Sequence, residues 1–185
     1  MQLNTLHMVH EFLRQHVQKG AFCIDATAGK GRDTALLCRL AGNTGRVLAF
    51  DIQPEAVALT QALLTQENLH AEVILDSHAN MEQYAEPGSV DCIVFNFGRL
   101  PGGNPNIFTL ANSSVQAIDA GLRLLRPQGV MAIALYYGNE NGYDEKEAIL
   151  QHLKTIDDRT FSVLCCEWAT RRGDPPMPIF IWKEH

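Results

Sequence analysis

The stretch Ala21-Phe22-Cys23-Ile24-Asp25-Ala26-Thr27-Ala28-Gly29-Lys30-Gly31-Arg32-Asp33-Thr34 decides the fold. Ala21–Asp25 is a short apolar run closed by an acid, which reads as a buried strand. Gly29 and Gly31 supply a tight turn. Asp33 to Leu40 then reads as a helix, with Leu36, Leu37 and Leu40 on one side. A strand, a glycine turn and a helix in succession are the first unit of an α/β chain.

The alternation continues outward. Before the stretch, Leu6, Val9, Phe12 and Leu13 recur at helical spacing across residues 5–17. After it, Gly42, Asn43 and Gly45 break the helix, and Val47–Asp51 is a second strand. Pro54 opens the next helix, where its missing N–H costs nothing. Ala71–Leu75 is a third strand, followed by a short helical stretch at Ala79–Tyr84. Val90–Phe95 is a fourth, apolar almost throughout, as a strand covered on both faces must be. Ser113–Leu125 is a helix that Pro127 and Gly129 should end. Val130–Tyr136 is a fifth strand, residues 138–143 a loop and Glu145–Ile156 a helix. Ser162–Ala169 and Pro178–Lys183 close the chain as two strands with no helix between them, hence an antiparallel pair at one edge. The expected architecture is one α/β domain over residues 1–185, mostly parallel, with helices on both faces.

Composition narrows the function classes. The 185 residues are 46% apolar with a net charge of −6. That excludes general disorder and argues against a nucleic-acid coat protein, which needs a basic field. No apolar run approaches the roughly 20 residues that span a bilayer. The N-terminal stretch lacks the layout of a signal peptide, so the expected location is cytoplasmic. The five cysteines are odd in number and form no CxxC, so neither a disulfide framework nor a zinc site is expected. His7, His10 and His16 fall on the first helix without a carboxylate–histidine set, so no metal is expected there; His10 is a candidate to close a pocket.

Ligands of open α/β sheets bind beyond the carboxyl ends of the strands. The Gly29-Lys30-Gly31 turn matches neither the P-loop pattern nor G-x-G-x-x-G. An acid at its head, Asp25, would repel a pyrophosphate but suit a cationic amino group; the alternative is a turn cap. Asp51 is placed to accept both hydroxyls of a ribose, or to cap the helix at Pro54. Asp76, with Ser77 and His78, could meet an exocyclic amine of adenine, or cap its strand. The three acids together describe a nucleoside joined to an amino acid, without phosphate. S-adenosylmethionine is that ligand. Asn96 faces the substrate side, where its carbonyl can hold an amine. Arg99, Gly102 and Gly103 lie in a constrained loop, and Tyr136 and Gly138 close the fifth strand. Arg171 and Arg172, with Arg123 and Arg126, are the dense basic features, candidates for RNA backbone contact or plain surface charge.

Three segments then carry a resemblance: Asp25–Thr34, Asp76-Ser77-His78, and Asn96-Phe97-Gly98-Arg99-Leu100-Pro101-Gly102-Gly103-Asn104. They resemble the rRNA methylase family of class I methyltransferases, through nearly the whole chain. The resemblance implies a Rossmann-like, seven-stranded sheet, mostly parallel with an antiparallel edge strand. It implies S-adenosylmethionine as methyl donor and a cytoplasmic homodimer without metal or membrane. Characterised bacterial members act on the tRNA anticodon loop, methylating the aminomethyl nitrogen of 5-aminomethyl-2-thiouridine at wobble position 34. Carried over, Asp25, Thr27, Gly29, Lys30, Gly31, Asp33, Asp51, Ile52, Asp76, Ser77, His78 and Asn96 would line the cofactor. Asn96 and Tyr136 would serve catalysis. Arg99, Leu100, Pro101, Gly102, Gly103, Tyr136, Gly138, Arg171 and Arg172 would meet substrate. The chain departs from the family at Arg99 (often Tyr), Asn139 (often His) and Lys30 (usually Asn). A small-molecule N- or O-methyltransferase and a non-catalytic cofactor-binding module remain as alternatives.

Overall fold

The computed structural model describes residues 3–98, 102, 108–138 and 140–185. Strands β1 (Phe22–Asp25), β2 (Arg46–Asp51), β3 (Glu72–Leu75), β4 (Val90–Phe97), β5 (Leu125–Leu135), β6 (Phe161–Cys165) and β7 (Met177–Lys183) form one sheet in the order β3-β2-β1-β4-β5-β7-β6. β1 to β5 pair in parallel, and β7 runs antiparallel to both β5 and β6. The expected antiparallel pair is therefore present, with β6 at the edge. This is the Rossmann-like sheet that the resemblance implied.

Strand residues alternate between two cores, because successive side chains point to opposite faces. Ile24, Leu48, Ile93 and Phe95 pack beneath α4 (Ala111–Leu124) and α5 (Glu140–Leu153). Cys23, Val47, Cys92 and Val94 pack beneath α1 (Thr5–His16) and α2 (Arg32–Ala41), with Leu64 of α3 (Pro54–Gln66). Both faces are covered, which is why β4 has almost no polar residue. All five cysteines are free thiols.

Several boundaries differ from those expected. Asn96 lies within β4, since pairing with β5 continues through Phe97 and Leu135. β5 begins at Leu125, directly after α4, and its first residues carry an irregularity opposite Val90 and Cys92. Pro127 sits in that irregular stretch, where a missing N–H is tolerated. β6 stops at Cys165 rather than Ala169. Beyond it Trp168 turns away, its indole N–H donating to the Pro176 carbonyl at 3.0 Å. α5 starts at Glu140, so Gly142 falls in its first turn rather than in a loop. Residues 78–83 form a 3-10 helix.

Candidate active site

The carboxyl ends of β3, β2, β1, β4 and β5 lie side by side, and the chain reverses direction across the sheet between β1 and β4. The loop after β1 is held from inside. Asp25 is fully buried. Its carboxylate accepts from the Thr34 hydroxyl at 2.5 Å and the Thr27 N–H at 3.2 Å. Burial, then the nearby Asp33 carboxylate, push its pKa up to about 7. Asp25 thus acts on the loop itself. The direct contact with a cationic amino group expected from the sequence is not available to a carboxylate with no exposed surface. Gly29 donates its N–H to Asp51 at 2.9 Å and accepts at its carbonyl from Thr60 of α3 at 3.3 Å. Gly31 has φ +76, and a Cβ there would stand 2.9 Å from Thr60 Cα. Only glycine lets the loop lie this close to α3.

Asp51 ends β2 half-buried. One oxygen takes the Gly29 N–H and the other the Gln53 N–H at 3.0 Å. Each oxygen keeps a lone pair for an incoming hydroxyl. Ile52 beside it is 55% exposed, an apolar surface at the rim. Asp76 takes its neighbour Ser77 N–H at 2.7 Å, Asn80 at 2.8 Å and the Tyr84 hydroxyl at 2.9 Å. Those bonds, the one from Asn80 first, hold its carboxyl below the usual range. Ser77 caps the 3-10 helix through Ala79. His78 turns inward against Phe95 and Phe97. Burial pushes its pKa down to about 4, so the ring is neutral near pH 7. It supports the strand ends from below, contrary to the expectation of a ligand contact.

The β4 side holds a chain of polar contacts that the sequence only hinted at. Thr27 Oγ1 accepts the Asn96 backbone N–H at 2.7 Å. Asn96 Nδ2 donates to Asp33 Oδ2 at 2.5 Å, and Asp33 Oδ1 lies 2.6 Å from His10 Nε2. An ionised carboxylate offers only acceptors, so the Asn96 amide nitrogen must face Asp33 and its Oδ1 faces away. Tyr136 stands just past β5, 41% exposed, its hydroxyl pKa raised by burial and by Asp33. Gly98 backs onto it, and a Cβ there would lie 3.0 Å from Tyr136 Cβ. The Gly98 N–H donates to Thr109 Oγ1 at 2.8 Å. Glu145, buried and with its pKa raised by that burial, holds Thr109 and Ser114. Arg99, Leu100, Pro101, Gly103 and Asn139 lie outside the described residues. Gly102 has φ +80, with Lys30 Nζ 3.9 Å from where its Cβ would be. Gly138 is exposed.

Arg171 stacks on Trp168 at 3.6 Å and also donates to the Leu3 carbonyl. It borders a cavity of about 340 Å³ with Tyr137, Lys146 and Met177, while Arg172 is exposed. Among the described residues no His, Cys, Asp and Glu cluster could hold a metal ion, and no helix is long and apolar enough to cross a membrane.

Known proteins share this fold. A family model described as "Putative rRNA methylase" matches residues 47–182. A chloroplastic tRNA (mnm(5)s(2)U34)-methyltransferase of Arabidopsis thaliana is 35% identical over 188 residues, covering 95% of this chain and 68% of the relative. A crystal structure described as a "putative rRNA-methylase" from Clostridium thermocellum superposes with a TM-score of 0.96 at 36% identity, covering 99% of each chain. One from Streptococcus mutans, described as "a putative methyltransferase" in complex with SAH, gives 0.89 at 33% identity, again over 99% of each. Fold, strand-end chemistry and likeness define the class: the protein is an S-adenosylmethionine-dependent methyltransferase, related to RNA-modifying enzymes. More narrowly, the chain belongs to the rRNA methylase family.

Proposed function

We propose that the enzyme methylates the aminomethyl nitrogen of 5-aminomethyl-2-thiouridine at the wobble position of tRNA. The observation that carries this reading is the Asp33–Asn96 bond, which fixes a side-chain carbonyl at the carboxyl end of β4. A carbonyl there accepts N–H and suits an amine acceptor. The printed specificity of the Arabidopsis relative supports the same acceptor. Its wobble base, unpaired in an anticodon loop, leaves the stack at comparatively low cost.

The residues present fit the donor. Asp51, its oxygens taking the Gly29 and Gln53 N–H groups, would take the ribose hydroxyls, and exposed Ile52 would flank the adenine. Asp76 borders the same end. The Thr27–Gly31 loop would carry the amino-acid portion. Bound there, S-adenosylmethionine supplies a methyl group activated by a sulfonium. The acceptor amine must be neutral to attack, and a site near positive charge favours that form. Asn96 Oδ1 takes one N–H and aims the lone pair, which is orientation rather than base catalysis. Tyr136, a phenol protonated near neutral pH and pushed further that way by burial and by Asp33, offers an O–H donor at the end of β5. The same reading includes a homodimer acting on the anticodon loop.

The test is methyl transfer from labelled S-adenosylmethionine to tRNA lacking the modification, followed by nucleoside mass analysis. One added methyl on 5-aminomethyl-2-thiouridine is the expected result. No transfer to RNA, with donor binding intact, would sink the RNA acceptor and favour a small molecule.

A further inference from the structure

A groove of about 480 Å³ opens between α1, α2 and α3, apart from the Asn96 site but joined to it. Its rim carries His10, Arg14, Lys30, Arg32 and Arg39, and Leu36 and Leu63 lie within it. Arg14 pairs with Glu11, and Arg39 with Glu67. Lys30 and Arg32 are exposed, and among the described residues neither has an ion-pair partner. Two links connect the groove to the acceptor side. His10 lines the groove and bonds Asp33, which holds Asn96. Lys30 also lies against Gly102 of the loop that follows β4.

We propose that this groove binds the phosphate backbone of the substrate RNA, beside the nucleotide that enters the Asn96 site. The inference rests on the RNA reading above. It is argued from charge: in a chain of net charge −6, the cations gathered on this rim, Lys30 and Arg32 among them without an ion-pair partner among the described residues, attract a polyanion locally while the rest of the surface repels it. A second copy of the same acidic chain is a poorer complement. The apolar side chains between the cations offer a surface for ribose or base. Phosphate contacts of this kind fix register without reading sequence.

The experiment uses Arg14→Glu/Arg32→Glu in the full chain. A fluorescein-labelled anticodon stem-loop is titrated across a salt series, and SAH binding and gel-filtration volume are measured beside it. Wild type must first transfer methyl to hypomodified tRNA; if it does not, the RNA reading fails and the groove is not at issue. Given that activity, the variant is expected to bind the stem-loop about 10-fold or more weakly near 0.1 M salt. Its slope of log affinity against log salt should fall by about 2, one unit for each lost phosphate contact. SAH affinity should be unchanged. An unchanged slope and affinity overturn the proposal. So does a variant that elutes as a smaller species, which would make the groove an interface between copies.

Discussion

Asn96 is the residue on which the chemistry turns, and its neighbours say how. Its amide is oriented by Asp33, and Asp33 is itself held by His10. Asn96→Ala removes the carbonyl that aims the amine, and kcat should fall about 100-fold, the cost of a misplaced reactant. SAH affinity should stay within about twofold of wild type, since the donor's ribose is assigned to Asp51. Steady-state kinetics with calorimetric SAH titration separates the two quantities. His10→Ala should reproduce part of the kcat loss by loosening Asp33, whereas His10→Gln keeps an N–H donor and should recover most of it. Equal losses in both variants would mean that His10 does not act through that hydrogen bond. Asn96 itself was legible in the sequence as a polar residue closing an apolar strand. The pairing of His10 with Asp33 was not, because no spacing relates residues on two different helices until the sheet brings them together.

At the scale of elements, the β1–α2 unit was legible because each of its signals is local. An apolar run, two glycines and a helical leucine stripe all sit within one short stretch. What escaped was the support beneath it. Thr34 bonds Asp25 from the helix that follows, and Thr60 contacts the loop from α3. Both threonines are fully buried, and in sequence each looks like an ordinary helix residue. The α4–β5 junction escaped for a related reason. Pro127 and Gly129 signal a helix stop, but not that a strand begins at Leu125 before them. The loop also gives an element-scale prediction. Gly31→Ala forces a Cβ into a left-handed position 2.9 Å from α3 backbone. A cost of about 2 kcal/mol is expected, combining conformational strain with displacement of α3. That corresponds to a fall in Tm of roughly 4–8 °C for a chain of this size. Weaker SAH binding should accompany it, because the same loop aligns Gly29 with Asp51. Thermal melts with and without SAH measure both.

Across the whole molecule, two buried titrating groups act on stability in opposite directions. Asp25 has its folded pKa raised from 3.8 to about 7, by burial first and then by Asp33. Between those values the unfolded chain has lost the proton that the folded chain keeps. Its contribution to stability is therefore fully present below about pH 4 and is lost as pH rises toward 7. His78 has its folded pKa lowered from 6.5 to about 4 by burial. Over that window the unfolded chain takes up a proton that the folded chain refuses. Its contribution is present above about pH 6.5 and is lost as pH falls toward 4. The two slopes oppose each other over much of the same range, so wild type should show a flatter profile there than either single variant. In Asp25→Asn the amide can still accept from Thr27 and can donate to the Thr34 oxygen, so the loop keeps both bonds. Its Tm relative to wild type should rise steadily from pH 4 to pH 7. In His78→Leu, which removes the ring's hydrogen bond to the Ala26 backbone, stability at pH 7 should drop. Its deficit should shrink as the pH is lowered from 6.5 to 4. Thermal melts of the three proteins at closely spaced pH values test the pair together. If both variants parallel wild type throughout, neither group is titrating in the interior in the way its burial requires.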